Sequence, residues 1–151
     1  MGYYAETIGG KFLIKAKNFD KAYDAICKLN AKDDLKEGFS CSYRERPANS
    51  KSVSGDPRKH FSFMPWNYDE IFNDLFEVLR ALGFDVLTNS DGDIDYIFFF
   101  DKLGQEDLFL EAIAPYVESG SYIIWRGEDG SMWVYNFIEG KMIENEACLT
   151  W

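Results

Sequence analysis

The stretch GSYIIWRGEDGSMWVYNF, residues 120–137, decides the fold. Two runs of β-branched and aromatic residues flank Gly127-Glu128-Asp129-Gly130, and a turn of that chemistry returns the chain on itself. Strands joined so closely pair antiparallel, because a parallel partner needs a crossover of a dozen residues or more. Past residue 137, Glu139-Gly140 supplies a second turn and residues 142–151 a third strand. The C-terminal third is therefore a three-stranded meander.

Upstream, residues 84–88 and 94–100 read as another hairpin across Asn89-Ser90-Asp91-Gly92-Asp93. Its second strand, Ile94-Asp95-Tyr96-Ile97-Phe98-Phe99-Phe100, is apolar on both faces after Asp95. Such a strand belongs at the centre of a sheet covered on both sides, by this chain or by a partner. A homodimer through this strand is one expectation. Three helices are expected. The first follows an Asn18 N-cap with Phe19, Ala22, Tyr23, Ile26 and Cys27 at helical spacing, ending at Asn30. The second runs from Asn67, with Glu70 completing a variant capping box, through Ile71, Phe72, Leu75, Phe76, Leu79 and Leu82 to Gly83. The third covers residues 104–116, its last turn disturbed by Pro115. At the N-terminus, residues 3–8 and 11–16 read as strands of a hairpin turning at Gly9-Gly10, and residues 39–43 as a short strand. The expected fold is α+β, an antiparallel sheet with three helices in the order ββα(β)-loop-αββαβββ, one domain over residues 1–151.

Composition narrows the function classes. With 46% hydrophobic and 17% aromatic residues the 151-residue chain holds enough apolar material for a packed core. No apolar run approaches the roughly 20 residues that span a bilayer, and the first residues lack the pattern of a signal peptide. Glu6 stands where a myristoylation motif needs Ser or Thr. Cys27, Cys41 and Cys148 are odd in number and widely spaced, which fits neither a disulfide framework nor a zinc site, and places the chain in a reducing, cytoplasmic compartment.

The net charge of −10 is divided unevenly. Residues 1–59 carry 12 Lys/Arg and 8 Asp/Glu; residues 60–151 carry 4 and 18. The second half repels phosphate, so nucleic acid is expected only at the basic loop, residues 44–60, through Arg44, Arg46, Lys51, Arg58 and Lys59. Tyr43 and Trp66 flank that loop as stacking residues.

Catalytic patterns fail one by one. Asn89, Asp91, Asp93 and Asp95 resemble a calcium loop, but Tyr96 and Lys102 occupy the places that need Gly and Glu. His60 is the only histidine, and its one thiol neighbour in the sequence pattern, Cys41, has no third group to orient the pair. No phosphate-binding glycine loop or nucleophile elbow is present. The reading is a non-enzymatic chain without cofactor or metal, with an unrecognised small enzyme whose cleft is built from Cys41, His60 and the turn acids as the alternative. The composition of a protein-binding hot spot does occur: Trp125, Arg126, Glu128, Asp129, Trp133 and Tyr135. The same aromatic row, Trp133, Tyr135 and Phe137 on one strand face, also suits a sheet packed on helices.

Residues 120–137, with FSFMPW at 61–66 and IAP at 113–115, resemble a group of small uncharacterised proteins of bacteria and their phages. The resemblance spans most of the chain and implies no activity. It implies a bacterial or mobile-element setting. Together with the acidic second half it leads to the expectation of an inhibitor or immunity-type factor that binds a protein with a basic, nucleic-acid-handling surface.

Overall fold

The computed structural model describes residues 2–39 and 55–147. Six antiparallel strands form the main sheet, in the order β4-β5-β1-β6-β7-β8. These are β1 (Tyr4–Lys11), β4 (Phe84–Thr88), β5 (Ile94–Lys102), β6 (Ser121–Gly127), β7 (Met132–Ile138) and β8 (Lys141–Ala147). A two-residue pair, β2 (Gly38–Phe39) with β3 (Lys59–His60), stands apart. The fold is α+β as the sequence implies, and both expected C-terminal hairpins are present.

The N-terminal hairpin is not. β1 runs straight through Gly9-Gly10, with a bulge between Thr7 and Gly9, and pairs with β5 on one side and β6 on the other. The glycines serve close approach rather than a turn: a Cβ on Gly10 would lie 2.2 Å from the carbonyl oxygen of Tyr122. Beyond Lys11 the chain veers to β5, where Phe12 N–H donates to Asp95 O and Ile14 bridges Ile94. Of the expected strand over residues 39–43, only Phe39 falls within the described residues, in β2.

Helix α1 (Phe19–Leu29) occupies its expected span and ends at Asn30. Asn18 does not cap it with its side chain, because a 3-10 turn over Ala16–Asn18 leads into the helix instead. The long helix expected over 67–83 is two pieces, α2 (Tyr68–Ile71) and α3 (Leu75–Leu82). The break has a local cause. Asp74 accepts from Glu77 N–H at 2.8 Å while the Glu77 carboxylate accepts from Asn73 N–H, a variant of the capping box that reaches one residue before the cap, inside the apolar period. Tyr23 fixes the break by donating its hydroxyl to Phe72 O. Gly83, left-handed at φ 111°, ends α3 as expected. Helix α4 (Glu106–Ile113) passes into a 3-10 turn at Ala114–Tyr116 that contains Pro115.

Strand alternation puts Ile97, Phe99, Ile123, Trp125, Tyr135 and Phe137 on one sheet face, all buried with apolar residues of α1, α3 and α4. The opposite face has no covering element among the described residues. Phe98 and Phe100, with Tyr4, Leu87, Tyr122 and Ile143, stand exposed there. No helix among the described residues is long and apolar enough to cross a membrane.

Candidate functional site

The residues singled out as a partner-binding cluster separate onto different surfaces. Trp125 is 1% exposed and belongs to the core, its ring against Phe84, Phe99, Trp133 and Tyr135. Tyr135 is buried as well. Both alternate toward the helices and meet solvent only as buried lining of a cleft. Arg126 points the other way, onto the uncovered sheet face, and is paired with Glu6 on the neighbouring strand. Glu128 and Asp129 fasten the β6–β7 turn to the N-terminal strand. The Glu128 carboxylate accepts from Tyr4 N–H at 3.1 Å, and Asp129 accepts from the Tyr3 hydroxyl and from Ser131 N–H. Of the six, Trp133 is partly buried and lines a cleft.

That cleft holds about 210 Å³ between the start of α4 and the edge of the sheet. Trp133 lies parallel to Trp125, centroids 6.1 Å apart and planes 3° from coplanar. Tyr135 extends the aromatic wall, and Glu106, Asp107 and Glu144 supply the charge. Register explains the grouping. Glu144 pairs with Tyr135 and Glu146 with Trp133, so both carboxylates of β8 share the face of the aromatic row. Among the described residues no Lys or Arg lines the cleft. Their negative field reaches Glu111 outside the cleft: burial raises its carboxyl above the ordinary range, and Asp107 and Glu144 raise it further.

Sequence reasoning found Trp133 and Tyr135 but missed Glu106, Asp107 and Glu144. The alternation Met142, Glu144, Glu146 on β8 was the available signal for Glu144. The α4 acids have none, since only packing brings that helix end to β7.

Glu106 is 4% exposed, and both its oxygens accept the Gly104 N–H, at 2.9 and 2.8 Å. Burial pushes its carboxyl up, and the backbone hydrogen bonds offset part of that rise. A carboxyl that holds its proton more tightly when folded favours the fold most when protonated. Its contribution therefore falls as pH rises above the ordinary value of 4.5 and through the raised one. Glu106→Gln keeps an acceptor for Gly104 and removes the charge. Its melting temperature at pH 7 should exceed the wild type's, with a flatter decline from pH 4.5 upward. A lower melting temperature for the variant at pH 7 would contradict this assignment.

Elsewhere, the chemistry-bearing residues that fall among the described residues have local structural partners. Asn89 accepts from the N–H groups of Asp91 and Asp93, closing the hairpin turn, not a calcium loop. The acids of that turn are not all solvated: Asp93 is 7% exposed, accepts from Ala16 N–H at 2.8 Å and faces Lys15 at 3.7 Å. In the basic loop, Arg58 grips Asp56 with two nitrogens at 3.2 and 3.0 Å, holding that carboxyl down at about 2. Lys59 lies in β3, and Arg44, Arg46, Lys51 and Tyr43 lie outside the described residues. His60 Nδ1 is 2.9 Å from Phe61 O, while Cys41 also lies outside the described residues. The Cys27 thiol, half-buried on α1, is raised by burial, which makes it a weak nucleophile. Comparison with protein families, curated proteins and solved structures gave no match.

Proposed function

We propose that the chain is a non-catalytic protein-binding module that engages a basic partner through the cleft of Trp133, Asp107 and Glu144. The observation that supports this is the pairing of a partly buried indole with three carboxylates and no cation among the described lining residues. A Lys or Arg side chain entering there gains the ring quadrupole and the carboxylates together. The excess of 18 acidic over 4 basic residues in positions 60–151 draws such a partner in from a distance. The partner class is a protein whose Lys/Arg-rich surface handles nucleic acid, and occupying that surface makes the chain an inhibitor of it.

An arginine-rich peptide titrated against the full chain, followed by tryptophan fluorescence, tests the cleft. Binding is expected at low salt and should weaken steeply as salt is added. Trp133→Ala, and separately the double substitution Asp107→Asn with Glu144→Gln, should each lower affinity about tenfold, as the loss of roughly 1–2 kcal/mol implies. Binding that is absent at low salt, or indifferent to both variants, would rule the cleft out.

A further inference from the structure

The geometry points to a second copy of this chain as the occupant of the uncovered sheet face, in a two-fold dimer where Phe100 of each copy fills a pocket of the other. This surface lies opposite the acidic cleft, and the inference does not depend on the cleft's function.

The face carries Leu87 from β4, Phe98 and Phe100 from β5, Tyr4 from β1, Tyr122 from β6 and Ile143 from β8, all exposed. Register puts them on one side: Glu6 pairs with Phe100 and with Arg126, Asp85 with Phe98, and Asn136 with both Tyr122 and Ile143. So many large apolar side chains exposed on one sheet face, set around a central ion pair, mark an interaction surface. Six strands about 4.8 Å apart and some seven residues long offer roughly 600 Å² of flat area per copy. Two such faces reach the lower bound of a stable interface, about 1,200 Å² in total, before side-chain relief is added.

Charge permits a like partner, although each face is net positive by two. At its paired strand positions this face holds Lys11, Lys102, Arg126 and Lys141 against Glu6 and Asp85, on a chain whose net charge is −10. The acidic excess therefore lies elsewhere, and two copies meeting here keep their repelling surfaces outermost. At the centre Arg126 and Glu6 already neutralise each other.

Shape supplies the self-complementarity. A pocket of about 140 Å³ opens on this face, lined by Tyr4, Glu6, Phe100, Arg126 and Glu128. Its volume is close to the roughly 150 Å³ of a cavity that accepts a benzene ring. Phe100, 74% exposed, forms one wall of the pocket, so knob and hole stand side by side. An isologous contact needs that arrangement, since whatever one copy inserts it must also receive.

Sedimentation equilibrium of the full chain, from micromolar to a few hundred micromolar at low and high salt, tests the assignment. The wild type should reach twice the monomer mass, with tighter association at high salt because the acidic bodies repel less. Phe100→Asp should weaken association at least a hundredfold, and Ile143→Asp, across the same face, at least tenfold. Both side chains are exposed, so far-UV circular dichroism should stay that of the wild type. A wild-type monomer throughout that range overturns the assignment and leaves the face to a different protein or to another part of this chain. A dimer indifferent to both substitutions overturns it too. Arginine-peptide binding by the monomeric Phe100→Asp chain reports on the cleft separately, so either reading can fail without the other.

Discussion

Trp125→Ala should cost about 3–5 kcal/mol of folding free energy, the loss usual for a buried tryptophan. The side chain is 1% exposed and lies at the meeting point of β4, β5 and β7. Its ring lies 5.4 Å from Phe99, 5.6 Å from Tyr135 and 6.2 Å from Phe84, besides the parallel stack on Trp133. Deletion opens a cavity that four large rings cannot close by small shifts, since they are anchored on three paired strands. Folded domains of ordinary stability hold 5–15 kcal/mol, so the variant should sit near the threshold of unfolding at 25 °C. Urea denaturation of wild type and variant reads the difference, and Trp125→Phe should lose markedly less. A loss under about 1 kcal/mol for the alanine variant would mean that the cluster does not carry the core. The cleft shares the consequence. Trp133 loses the ring it stacks on, so peptide affinity should fall although the substitution is not at an exposed contact.

Gly10→Ala should cost about 2 kcal/mol or more. Gly10 has φ of 139°, a conformation that strains an L side chain by about 1–3 kcal/mol. The added Cβ also meets the Tyr122 carbonyl oxygen at 2.2 Å, and that atom is backbone, which cannot swing away. Relief requires β1 and β6 to separate where Gly10 pairs with Ile123. Hydrogen exchange should then show lost protection along the β1–β6 ladder before it appears in the β4–β5 hairpin. If Gly10→Ala leaves stability within about 0.5 kcal/mol, the strand does not pass through Gly10 as described, and the hairpin suggested by the Gly9-Gly10 pair regains its place.

That last contrast marks where local reading stops. A Gly-Gly pair between two apolar runs is strong hairpin chemistry, and it lost to tertiary pairing: residues 5–11 find partners on β6 that a two-stranded hairpin cannot offer. The break between α2 and α3 was legible in part, since Asp74 and Glu77 spell a capping box. The apolar period through Ile71, Phe72, Leu75 and Phe76 masked it. In the functional surface, the aromatic row was legible from period-two alternation, yet its partners were not. Asp107 comes from α4 and Glu144 from β8, thirty-seven positions apart, and only the packing of α4 beside the sheet edge unites them.

Short-range chemistry settles the local features: antiparallel hairpins at Gly130 and Gly140, the stop of α3 at Gly83, the Pro115 irregularity and the division of charge. Each depends on one to four adjacent residues whose backbone preferences or charges act at short range. Only the tertiary structure decided which sheet face the helices cover. Period two sorts Trp125, Trp133 and Tyr135 from Tyr122, Val134 and Asn136, but both sets are rich enough in apolar residues to be the inner one. The choice falls to the helices, whose apolar faces fill the space above Ile97, Phe99 and Ile123 and leave Phe98 and Phe100 outside.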